Sequence, residues 1–153
     1  MIFARRILAK FLLLMVSMGR FMSLGARAAV IDGDRVLLVH HTYVKGWQLP
    51  GGGVERGQTF ESTMRNELME EAGFEAGKNV ELHGVFLNNN ISKRDHVALY
   101  VVREFTKVRE FEANREIAEI GWFRHDQLPD NMAYGARERI EEIFQGREKN
   151  QYW

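Results

Sequence analysis

The stretch Leu49–Phe74, LPGGGVERGQTFESTMRNELMEEAGF, limits most strongly what this chain can fold into. It opens with a proline and three glycines, Gly51, Gly52 and Gly53, and runs into a segment of helical spacing that stops at Gly73. Glycine backbone reaches conformations closed to other residues and lets a ligand or another segment come close. Glu67, Glu70 and Glu71 stand at i, i+3 and i+4, so their carboxylates share one helix face. Met64, Leu68 and Ala72 form an apolar stripe beside them. Like charges at this spacing oppose the helix by ~0.2–0.5 kcal/mol per pair. A hard divalent cation turns that repulsion into attraction, because Mg2+ takes carboxylate oxygens and completes its shell with water and substrate phosphates. On a bare helix the three glutamates would read as a solvated face. Behind a glycine bend at fixed spacing they read as an ion site. Thr59 is the expected N-cap of this helix, and Gly73 fits the left-handed position just past its end.

These residues resemble the box of the Nudix hydrolases. That pattern is glycine, five residues, glutamate, seven residues, Arg-Glu, an aliphatic residue, any residue, Glu-Glu, any residue, glycine and an apolar residue. Here it runs from Gly52 to Phe74, with matches at Gly52, Glu67, Leu68, Glu70, Glu71, Gly73 and Phe74. It departs at two places: the first glutamate is Gln58 and the arginine is Asn66. The resemblance implies an α/β fold with mixed α and β elements, an α/β/α sandwich around a mixed central sheet. It also implies hydrolysis of a nucleoside diphosphate linked to another moiety. The Gly52 carbonyl, Glu67, Glu70 and Glu71 would then hold Mg2+ or Mn2+, and a metal-activated water would attack a pyrophosphate bond. A further glutamate beyond the box often serves as ligand or base in this family. Glu116 and Glu119 are both placed for that, and Glu67 itself is the other candidate base. The family's arginine orients the neighbouring glutamate through a bidentate pair that Asn66 cannot reproduce. Gln58 keeps the shape of glutamate without its charge. A slow or narrowly selective hydrolase is the expectation. The alternative is a catalytically silent domain that binds a nucleotide as a sensor or serves as an interaction module.

Composition adds exclusions. The chain has 153 residues, enough for one domain with one core. Lysine plus arginine equals aspartate plus glutamate, 21 against 21, where a dedicated nucleic-acid binder would carry a basic excess. With no cysteine, thiolate catalysis, disulfides and cysteine zinc sites are excluded, which is compatible with a cytoplasmic protein.

Three parts are expected: an amphipathic N-terminal helix over 1–24, the hydrolase domain over 25–146, and a polar tail over 147–153 that frays. The first holds Arg5, Arg6 and Lys10 before the apolar run Phe11–Val16, too short to span a membrane. It suits packing on the domain, on a second copy in a homodimer, or on a membrane surface. Ala28–Ile31 and Arg35–His41 read as strands around an Asp32-Gly33-Asp34 turn. The run Val36–Val39 suggests a strand covered on both faces. His40 and His41 read as strand-end residues. Lys45 and Trp47, with Gly51 and Gly53, are the candidate substrate contacts, Trp47 being equally suited to a buried packing role. Asn79–Asn88 and His96–Phe105 alternate as strands of one sheet, joined by a polar hairpin tip. Glu104–Ala113 reads as a charged surface connection, Ile117–Phe123 as a strand and His125–Pro129 as a short helical turn. Ala136–Gln145 reads as a closing helix ended by Gly146.

Overall fold

The residues Val36–Val39 have no polar face to turn to water, so their strand needs cover on both sides. The computed structural model, which describes residues 21–153, supplies both covers. β1 (Ser23–Asp32) and β2 (Arg35–His41) form a hairpin across Gly33-Asp34. Then come β3 (Trp47–Gln48), β4 (Gly51–Gly53), α1 (Phe60–Ala72), β5 (Phe74–Ala76), β6 (Glu81–Leu87), β7 (Asp95–Val102), β8 (Phe105–Lys107), β9 (Ile117–Arg124) and α2 (Tyr134–Gln145).

The main sheet runs β3-β2-β1-β7-β6, with β4 added on β1 and β9 on β2. β1 and β7 are parallel from Ser23↔Asp95 to Val30↔Val102, and the other pairs are antiparallel, so the sheet is mixed. Strand side chains alternate between faces, and the core divides accordingly. Ala26, Ala28, Val30, Leu37 and Val39 pack with Met64, Leu68 and Ala72 of α1. Ala29, Val36, Leu38 and Leu99 pack with Ala136 and Ile140 of α2. One helix lies on each face, the α/β/α sandwich that the box implied. Each fully buried leucine contributes ~1.5–3 kcal/mol relative to exposure, so the α1 stripe suffices to seat the acidic helix.

Both ends of α1 are set locally. Thr59 Oγ1 accepts from the Ser62 N–H at 3.0 Å, and Ser62 Oγ accepts from the Thr59 N–H at 2.9 Å. Gly73 is left-handed at φ 75°, and its N–H donates to the Met69 carbonyl. Arg109 Nη2 donates to the carbonyls of Met69 (3.1 Å) and Glu70 (2.5 Å), closing the last turn from a distant segment.

Several expectations need correction. Residues 1–20 lie outside the described residues, but Ser23 and Leu24, assigned to the N-terminal helix, begin β1 because β7 pairs with them. The glycine bend is itself the short strand β4. The charged connection over Glu104–Ala113 contains β8, which pairs with β5 in a separate two-stranded sheet. His125–Pro129 forms a hydrogen-bonded turn, Gln127 N–H to the Arg124 carbonyl at 3.0 Å, and no helix. The tail over 147–153 does not fray: the Leu87 N–H donates to the Gln151 carbonyl at 2.9 Å, and the Trp153 N–H donates to the Leu87 carbonyl at 3.0 Å. Its partners lie so far back in the chain that local polarity could not reveal them. Among the described residues no helix is long and apolar enough to cross a membrane.

Candidate active site

β4 lies antiparallel to β1, with Gly25↔Gly53, Ala26↔Gly52 and Arg27↔Gly51 in register. Gly51 has φ 146°, and a Cβ there would fall 2.1 Å from the Ala26 carbonyl oxygen. Free of that side chain, the Gly51 N–H donates to Glu71 Oε2 at 2.8 Å. A Cβ on Gly52 would fall 2.5 Å from Glu67 Oε1. Two consecutive glycines therefore admit two carboxylates of α1 against the loop. This is the physical content of the fixed spacing from glycines to glutamates.

The side chain that braces this arrangement comes from β1. Arg27 Nη1 donates to the carbonyls of Leu49 (2.9 Å) and Gly51 (3.0 Å), so one guanidinium ties both ends of the Pro-Gly turn. Burial pushes the Arg27 guanidinium below its usual value, while Glu71 and Glu67 pull it back up. Sequence reasoning missed this residue. Its signal was a lone cation in the otherwise apolar run Ala26–Ile31.

The carboxylates are not equivalent. Glu71 is buried, 6% exposed, and burial pushes its carboxyl up to about 7; the Gly51 N–H and Arg27 oppose the rise, while Glu67 and Glu116 add to it. Glu67 is half-buried and also raised, by burial first and by Glu70 next. Glu70 is exposed. His41 is a second residue that sequence reasoning underread. It is buried, its Nε2 lies 3.4 Å from Glu71 Oε1, and its Nδ1 is buried without a hydrogen-bond partner. Burial and then Arg27 hold its imidazole below the usual histidine range.

Around this centre the remaining candidates fall in different places. Glu116 is exposed, its carbonyl accepts from the Thr42 N–H at 2.8 Å, and its charge reaches both Glu67 and Glu71. Glu119 sits on β9 opposite His40. Gly51, Gly52 and Gly53 line a cavity of ≈ 450 Å³ together with Arg27 and His41. Lys45 is exposed and lines a neighbouring cavity of ≈ 560 Å³. Trp47 packs edge-on to Phe123 at 4.8 Å and tilted on His40 at 5.5 Å, within the α2-side core, and is not among the residues lining the glycine cavity. Gln58 Oε1 accepts from the Glu55 N–H (3.2 Å) and Thr63 Oγ1 (2.8 Å), a local role at the entry to α1. Asn66 is exposed.

The donor set suits a hard divalent cation. Burial first, and neighbouring carboxylates after it, make Glu67 and Glu71 hold protons more tightly than usual, a condition a cation relieves. Gly52 lets Glu67 lie against the loop. Among the described residues no three histidine or acidic side chains already form a ligand cage. Mg2+ seldom needs one, since it binds through one or two carboxylates plus substrate phosphates and water.

The model of the NUDIX domain family matches residues 22–143. The NAD-capped RNA hydrolase NudC of Pectobacterium carotovorum subsp. carotovorum (strain PC1) is 29% identical over 119 residues, covering 74% of this chain and 44% of NudC. The chain spans less than half the length of two of the curated relatives it matches. Among solved structures, a MutT NUDIX hydrolase from Burkholderia pseudomallei superposes with a TM-score of 0.70 at 24% identity, covering 80% of this chain and 98% of that one. An ADP-ribose pyrophosphatase from Streptococcus suis 89-1591 superposes with a TM-score of 0.67 at 25% identity, covering 87% and 97%. With the family model spanning most of the chain, and the glycine loop and acidic helix joined as the box demands, this protein belongs to the NUDIX domain family.

Proposed function

We propose that this chain hydrolyses a pyrophosphate bond in a nucleoside diphosphate-linked small molecule, with Mg2+ or Mn2+ held by the Gly52 carbonyl, Glu67, Glu70 and Glu71. The observation that carries the reading is the closure of the glycine loop on α1, in which Glu67 lies against Gly52 and Glu71 accepts from Gly51. A bound cation supplies a water of lowered pKa and neutralises phosphate charge. The raised carboxyls of Glu67 and Glu71 make proton and cation compete for the same oxygens. Arg27 holds the loop carbonyls in place and brings positive charge to the wall where a diphosphate would lie. Glu116, exposed and outside this ligand set, takes the proton of the attacking water. The name of one relative of solved structure, an ADP-ribose pyrophosphatase, agrees with a substrate of this class.

Gln58 and Asn66 slow the reaction without abolishing it, since loss of outer support to a metal site typically costs ~10–100-fold. The test is formation of the two cleavage products, separated by chromatography, from nucleoside triphosphates, nucleotide sugars, ADP-ribose and dinucleoside polyphosphates, with and without Mg2+ or Mn2+. Metal-dependent turnover of at least one compound is expected. Binding without turnover across the panel would replace the enzyme with a nucleotide sensor, a reading favoured by the exposed Asn66 where the family has arginine. Glu116→Gln should lower kcat by ~10²–10⁴, the usual contribution of a positioned base, while Glu119→Gln leaves it unchanged.

A further inference from the structure

Residues 147–153 lie beyond the part matched to the family, yet they are held by a buried polar centre. Glu142 of α2 accepts from Arg139 Nη2 at 2.6 Å and from the Asn150 N–H at 2.9 Å, and its Oε2 lies 3.0 Å from His83 Nε2. Lys149 Nζ donates to the His83 carbonyl at 2.7 Å. Beyond that anchor, the paired hydrogen bonds at Leu87 set Trp153 beside the residue that follows Leu87, namely Asn88. Trp153 and Asn88 both line the cavity that holds Gly51, Gly52 and Gly53.

The two side chains offer complementary chemistry. The Trp153 indole is seated on Gly135, where a Cβ would fall 2.5 Å from Cδ1 and 2.7 Å from Nε1, and Phe86 meets it edge-on at 6.0 Å. Fixed on that side, it remains partly exposed on the other. Asn88 is 8% exposed, and its Nδ2 donates to Asp95 Oδ2 at 2.9 Å. That bond to a carboxylate fixes the orientation of the amide, leaving Oδ1 as an acceptor that is buried without a partner. A buried acceptor without a partner is costly, and a ligand N–H can satisfy it. A flat π surface beside an unpaired acceptor, in the same cavity as the phosphate-side glycines, matches a nucleobase.

We propose that Trp153 and Asn88 are specificity-determining residues that hold the base of the substrate. The base lies against the indole and donates an N–H to Asn88 Oδ1, while the diphosphate lies toward Gly51–Gly53. This rests on the nucleoside diphosphate reading above and adds to it a segment outside the matched domain.

Calorimetry with the 153-residue chain and Mg2+ tests it, using α,β-methylene diphosphates of adenosine, guanosine, cytidine and uridine, and methylenediphosphonate as the base-free probe. The wild-type protein should bind at least one nucleotide more tightly than methylenediphosphonate. Trp153→Ala should cut that preference by about tenfold or more, the usual effect of removing a base-stacking aromatic. Trp153→Phe should restore part of it, and Gly135→Ala, which puts a methyl group in the indole's seat, should lower it again. Asn88→Ala should change the ranking of the four bases. Equal affinity for nucleotides and methylenediphosphonate in the wild-type protein would overturn the inference and leave the hydrolase reading standing. So would an unchanged ratio in Trp153→Ala or, if that variant does not fold, in Gly135→Ala. No Mg2+-dependent affinity for either probe class would overturn both.

Discussion

The backbone N–H of Gly51 donates to Oε2 of Glu71 across 2.8 Å, joining the glycine loop to the acidic helix through one buried hydrogen bond. Glu71 thus serves the fold as well as the proposed ion site. Glu71→Ala leaves that N–H without a partner and should cost ~1–3 kcal/mol. Glu71→Gln keeps an amide oxygen to accept it and should cost less. Both should lose Mg2+-dependent hydrolysis. Urea unfolding beside the activity assay separates the two effects.

The raised Glu71 carboxyl sets a pH dependence. It holds its proton in the folded protein to about pH 7, against an ordinary value of 4.5. Between those values the folded state binds more protons than the unfolded state, so stability of the metal-free protein falls as pH rises from about 4.5 to about 7. From 4.5 to about 7, at about 1.4 kcal/mol per pKa unit, the loss has a ceiling of ~3.5 kcal/mol. Proton competition also weakens cation binding at low pH. Thermal unfolding should therefore show a larger Mg2+-induced rise in Tm at about pH 8 than at about pH 6.

Gly52→Ala places its methyl group 2.5 Å from Glu67 Oε1, too close for both to stay. The carboxylate must swing away, and kcat/KM should fall by ~10–100-fold, as when a metal ligand loses its orientation. Circular dichroism should stay unchanged, since Gly52 carries an ordinary extended backbone.

At Asn66 the exposed asparagine leaves Glu67 without the bidentate partner that the family pattern supplies. Asn66→Arg combined with Gln58→Glu should raise Mg2+-dependent turnover. A fall, or no change on every substrate, would overturn the reading that Gln58 and Asn66 slow the reaction.

The anchor of segment 147–153 should release in acid. Burial alone would raise the Glu142 carboxyl, but the Asn150 N–H, His83 and Arg139 outweigh it and hold the carboxyl below its usual value. Its stabilising contribution is present above pH 4.5 and is lost as pH falls through the lower, folded-state value. Trp153 fluorescence, read against Trp153→Phe, should report the release before global unfolding.

Legibility followed range along the chain. Thr59 and Gly73 bound α1 as the capping residues suggested, because a cap and its helix are neighbours in sequence. β2 spans Arg35–His41 as read, because continuous apolar residues mark a strand covered on both faces. The tail failed the same reasoning, since Leu87 and His83 hold it from across the fold.

By itself the sequence determined where the box lies, from Gly52 to Phe74. The interval from Gly52 to Glu67 and Glu71 is carried on one short loop and one helix, whose geometry local spacing fixes. Only the tertiary structure decided what stands around it. Arg27 arrives from β1, His41 from β2, Asn88 from the end of β6 and Trp153 from beyond α2, all brought to one cavity by sheet pairing. The reason is physical: helical and turn contacts join residues a few positions apart, whereas strand pairing joins residues at any separation and leaves no spacing to read.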